Sequence, residues 1–176
     1  IHMACHEIGA FDICETASSG FGMVARRDLF QGTVVLRERP IAILRATNLQ
    51  AAADEVWPRL PEFKKQQWYL ERFSHDDLQA PPEVIERFAE SEFEKCSAEA
   101  QRRWLALSDA FVSSEGSSVG GIARTNAITE VANGDCYLFE HLSRANHSCQ
   151  PNMRFTLPAF AHDGGAVTLS MLNDVR

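Results

Sequence analysis

Residues 143–152 read Ser-Arg-Ala-Asn-His-Ser-Cys-Gln-Pro-Asn, and this decapeptide limits the fold more than any other stretch. Asn146, His147, Ser148, Cys149 and Asn152 crowd around Pro151. The run is too polar for a core strand. Asn, Ser and Pro at this density mark a tight loop whose side chains hydrogen-bond to the backbone. Read without context, it is an ordinary polar loop. A cysteine nucleophile with its base is a poor alternative, because Cys149 and His147 are only two residues apart. Such partners normally come from distant segments.

The N-terminal part has a different texture. Ser18-Ser19-Gly20-Phe21-Gly22-Met23-Val24-Ala25 leads into Arg26-Arg27-Asp28-Leu29-Phe30-Gln31-Gly32-Thr33-Val34-Val35. Short β-branched runs punctuated by glycine predict a small antiparallel β unit, arranged as strand, Gly-x-Gly turn, strand. No helix-opening Gly-x-Gly-x-x-Gly is present, so a dinucleotide-binding reading is poor. Near the other flank, Ala127 to Val131 reads as a strand ending at Asn133-Gly134, a strong hairpin signal. Cys136-Tyr137-Leu138-Phe139 reads as the next buried strand or helical turn.

Between these flanks, residues 46–111 favour helices. Pro61-Glu62-Phe63 and Pro81-Pro82-Glu83 place proline and then acid at helix starts. Ser91-x-x-Glu94 has capping-box spacing. Trp104, Leu107 and Phe111 recur at the intervals of one apolar helical face. Trp57, Trp68 and Phe88 read as core, since aromatic residues usually serve buried area. Ser113 to Gly121 reads as a flexible return loop.

Apolar residues make up 45% of the 176, enough for a core in one domain or a domain with an insertion. No apolar run approaches membrane-spanning length. A net charge of −7 argues against a nucleic-acid surface, which needs clustered Lys and Arg. Five cysteines without a Cys-x-x-Cys pair predict reduced thiols, hence a nuclear or cytoplasmic setting. Ile1-His2-Met3 reads as a cloning remnant.

Asn-His-Ser-Cys-x-Pro-Asn, the upstream Gly-x-Gly and Ala-x-x-Asp-Leu-x-x-Gly together resemble the SET domain, the fold of most protein-lysine methyltransferases. Arg124-Thr125-Asn126-Ala127 resembles the segment that precedes the signature in the SET-and-MYND group, with Ala127-Ile128 where that group has a larger aromatic. The insert holds one cysteine, Cys96, and one histidine, His75, too few for a four-ligand zinc module. The MYND module is therefore absent. The resemblance implies an α+β fold: a β-rich SET-like domain of small antiparallel sheets with a helical insertion. Its parts are 4–45, an insertion at 46–115, and 116–176.

The resemblance further implies binding of S-adenosylmethionine and transfer of its methyl group to lysine on a histone or other protein. Gly20, Phe21, Gly22 and Met23 would line the methionine portion of the cofactor. Asn146 and His147 would hold its amino-acid end and its adenine, beside Ser143, Arg144 and Ala145, with Arg124 and Asn126 as additions. The chemistry needs a neutral amine, although lysine titrates near 10.4. A narrow apolar channel favours the neutral form. Backbone carbonyls, here those of 142–146, would orient the attack. The family's Glu-Leu-x-x-x-Tyr segment would follow the signature, but the tyrosines here are Tyr69 and Tyr137. The chain therefore reads as an inactive fragment. Cys149 would ligate zinc only together with C-terminal cysteines that this sequence lacks. Two rival classes remain: a non-catalytic interaction module, and a hydrolase using Cys149. Neither membrane nor direct nucleic-acid partners are expected, and no motif sets the oligomeric state.

Overall fold

The computed structural model describes residues 6–16, 20–65, 80–114, 116–129, 134–145, 150–157 and 166–175. It divides into two compact units, one of residues 1–40 with 141–176 and one of residues 41–140. Small antiparallel sheets and several helices make this the expected α+β, SET-like fold.

The first unit contains two three-stranded sheets. One has the order β1 (His6–Ile8), β2 (Phe11–Thr16), β3 (Gly20–Ala25). In β2, Phe11 and Ile13 are buried while Asp12 is partly exposed, the alternation that a half-buried strand requires. The Gly-x-Gly is not a turn. Gly20 and Gly22 lie inside β3, opposite Thr16 and Cys14 of β2. The β-branched and apolar residues that follow the glycines favour pairing along the whole run.

The other sheet sets β9 (Val167–Met171) between β4 (Val34–Glu38) and β8 (Met153–Thr156). Val167, Leu169 and Met171 all point into the core. Gly32 forms the expected turn before β4. Its φ is 83°, which glycine adopts without a Cβ clash, and its N–H donates to the Met171 carbonyl at 2.9 Å. Phe11, Met23, Leu29, Met153 and Met171 surround a small apolar cavity.

The second unit carries helices over a short sheet. Strand β7 (Cys136–Leu138) lies between β5 (Ala42–Leu44) and β6 (Ile128–Thr129), and all three β7 residues are buried. Its described helices include α1 (Ala46–Val56), α2 (Pro82–Lys95), α3 (Ala98–Leu105) and α4 (Val119–Asn126). Their core is built from Val84, Ile85, Phe88, Trp104, Ile122 and Leu138. Phe93 meets Trp104 edge to face at 5.6 Å. Among the described residues, no helix is long and apolar enough to cross a membrane.

Several local expectations are corrected. Ser91 lies in the middle of α2, which begins at the Pro81-Pro82 step, so it caps nothing. The serine that caps is Ser97, whose Oγ accepts from Ala100 N at 3.2 Å. Phe111 lies beyond the end of α3 and is exposed, whereas Trp104 and Leu107 are buried. The supposed return loop ends at Ser118. Its hydroxyl accepts from Gly121 N at 2.8 Å and starts α4. Glycine content hid this helix, because glycine lowers propensity. Here the glycines admit carboxylates instead. A Cβ on Gly120 would lie 2.7 Å from the Glu86 backbone. Cys14 is disulfide-bonded, against the expectation of reduced thiols, and its partner lies outside the described residues. An odd count leaves one thiol over but does not forbid a pair. Cys96 and Cys136 are not disulfide-bonded. Trp68 lies outside the described residues, and Trp57 is only partly buried.

Candidate functional site

The signature loop begins at a 3-10 turn, Leu142–Arg144, in the first unit. A short turn of this kind leaves its leading N–H groups without partners inside the helix. Its own N-cap, His141, supplies no side-chain hydrogen bond. The acceptor comes from β4. Glu38 Oε1 accepts from His141 N at 2.9 Å and lies 3.1 Å from His141 Nδ1. Glu38 Oε2 accepts from Leu142 N at 3.0 Å.

Glu38 is only 7% exposed. Burial alone would push its carboxyl pKa up. The hydrogen bond from the His141 ring, those from the two backbone N–H groups and the charge of His141 outweigh that and hold it below the ordinary value. The carboxylate therefore stays ionised at neutral pH. The sequence carries a trace of this: in Leu36-Arg37-Glu38, period two puts Glu38 on the buried face of Leu36. A charge on that face is expensive unless it is partnered.

The same turn meets β3. The guanidinium carbon of Arg144 sits 5.5 Å from the centre of the Phe21 ring, within cation–π range. Phe21 remains 41% exposed, so its ring is not core. Gly22 is buried, while Met23, Ser143, Arg144 and Ala145 are partly buried. Residues from the two ends of the chain thus form one patch. The carbonyls of His141 and Leu142 accept from Arg144 N and Ala145 N, both at 2.9 Å. The Leu142 carbonyl, which the sequence offered to a substrate, accepts one bond within the turn.

A family model, SET domain, matches residues 20–176. The chain belongs to the SET domain family. The SET domain is in general a protein-lysine methyltransferase domain, and S-adenosylmethionine is typically its methyl donor. No curated protein matches this chain.

Within this SET domain, the site residues read from the sequence fall into three groups. Phe21, Gly22, Met23, Ser143, Arg144 and Ala145 share the first unit, with Gly20 at the start of β3. Asn146, His147 and Cys149 lie outside the described residues. Arg124 and Asn126 belong to the second unit and have partners there. The Asn126 amide donates to the Ser108 carbonyl at 2.6 Å and to the Ile122 carbonyl at 2.8 Å. The Arg124 guanidinium lies 3.8 Å from the centre of the Phe111 ring. The sequence reading missed Glu38 and the contact between Phe21 and Arg144.

Proposed function

We propose that this chain is a SET-type protein-lysine N-methyltransferase domain that binds S-adenosylmethionine on the patch formed by Gly20–Met23 and Ser143–Ala145, with Asn146 and His147 added by resemblance. The observation that carries this reading is the contact of Arg144 with Phe21, two residues that the resemblance had assigned separately to one cofactor. The residues suit the group. S-adenosylmethionine has an adenine ring and a carboxylate, and the patch offers an exposed aromatic face and a planar guanidinium that matches carboxylates. Bound there, the cofactor would supply a methyl group on a sulfonium, activated for displacement by an amine.

The role of the protein is positioning. The half-buried segment Ser143–Ala145 and strand β3 would orient the cofactor and exclude water from one side of it. Arg124 and Asn126, which the resemblance adds, are not needed for this reading. The acceptor is a lysine-bearing protein, and chromatin proteins are one class to test. The alternative is a non-catalytic SET-like interaction module.

The test is calorimetric titration of S-adenosylmethionine and S-adenosylhomocysteine, beside a methyl-transfer assay on lysine-rich proteins. Saturable binding of both supports the proposal. Methyl transfer by this chain would overturn the expected inactivity, and no binding of either compound would favour the interaction module.

A further inference from the structure

The decapeptide 143–152 is anchored at both ends to one sheet. At its start, Glu38 of β4 holds His141 and Leu142 through the three contacts described above. At its end, the Asn152 carbonyl accepts from Leu172 N at 2.8 Å, and Met153 pairs with Met171 as β8 joins β9. Strand β9 pairs with β4 on its other side, where Glu38 lies opposite Val167. The end anchor is ordinary strand pairing, which many sequences could supply. The start anchor depends on one side chain. Among hydrogen-bonding groups, a carboxylate is suited to it, because both oxygens accept and the His141 and Leu142 N–H groups donate to them.

From this geometry we infer that Glu38 is a positioning residue for cofactor binding, its carboxylate fixing the turn that sets Ser143–Ala145 against β3. The inference rests on the cofactor site proposed above and deepens it. Glu38 touches neither substrate nor cofactor in this account. It acts through His141 and Leu142, and ligand sites lose affinity when the segment that carries them is held loosely.

The test uses the whole chain with Glu38→Gln, which keeps the size but turns an NH2 donor toward N–H donors. Three readouts are compared with the native chain: thermal midpoint, amide hydrogen exchange, and affinity for S-adenosylmethionine. The expected result is faster exchange at residues 141–145, unchanged exchange in Pro82–Lys95, and a Kd raised about tenfold or more. Glu38→Asp keeps the charge with a shorter reach, should recover part of the affinity, and serves if Glu38→Gln does not fold. Faster exchange with an unchanged Kd would make Glu38 merely structural and overturn the inference. Unchanged exchange and unchanged Kd would overturn it while leaving the cofactor site standing. Failure of the native chain to bind would overturn the cofactor site itself, and the exchange data would then report on the Glu38 anchor separately.

Discussion

The two compact units solve their folding problems differently. The second is held by volume: Trp104, Phe88, Ile85, Ile122 and Leu138 are essentially inaccessible and interlock between helices and a short sheet. The first is built on the longer strands of two sheets, and its signature loop starts from hydrogen bonds to one buried carboxylate, Glu38. Volume can be lost in graded amounts. A buried carboxylate that serves three donors cannot be altered by halves. Stability of the helical core is therefore spread over many residues, whereas the start of the signature loop leans on one carboxylate.

The largest expected effect breaks the volume side of the comparison. Trp104→Ala should cost about 3–5 kcal/mol, measured by urea unfolding, because it empties a site with no exposure and removes the edge-to-face contact with Phe93. A much smaller loss would mean that the helical core is less tightly interlocked than its burial implies.

Gly120→Ala comes next. Its Cβ would meet the Glu86 backbone at 2.7 Å, so α2 or α4 must shift, at about 1–3 kcal/mol by the same unfolding measurement. An unchanged stability would show that these two helices can part freely.

Glu38→Gln sharpens the other side through pH. The native pKa of Glu38 lies below its ordinary value of 4.5, so its contribution to stability is complete above that pH. The contribution is lost as the pH falls below 4.5 toward the native value. The native chain should therefore exceed Glu38→Gln in stability at pH 7, and the gap should close as acid protonates the carboxyl. Urea midpoints for both chains from pH 7 down to pH 3 check this. A gap that does not depend on pH would remove the ionised carboxylate from the account.

The smallest effect is Ser97→Ala, at about 1 kcal/mol, because one exposed cap serves one N–H at the start of α3. Circular dichroism melts suffice to detect it.

What the sequence made legible follows the same division. Helix starts at Pro81-Pro82, the Gly32 turn and the buried strand at Cys136 could be read locally, because proline, glycine and short apolar runs act on the backbone where they stand. The α4 helix could not. Its two glycines look like a loop until the carboxylates of Glu86 and Asp109, from elsewhere in the chain, are placed beside them. The site divides likewise. Gly20–Met23 and Ser143–Ala145 were visible as a motif, and their contact through Phe21 and Arg144 needed the fold. Glu38 left only a parity signal, a charge on the face where β4 buries Leu36. Asn126, picked from a motif, donates its amide to two backbone carbonyls in its own unit, which the sequence did not show.

The central claim is that the cofactor sits on the signature loop of the first unit. Titrating S-adenosylmethionine into the native chain, Asn146→Ala and Asn126→Ala tests it most directly. The account predicts binding to the native chain, loss of binding in Asn146→Ala, and retained binding in folded Asn126→Ala. Equal binding by the native chain and Asn146→Ala, or loss confined to Asn126→Ala, would contradict it.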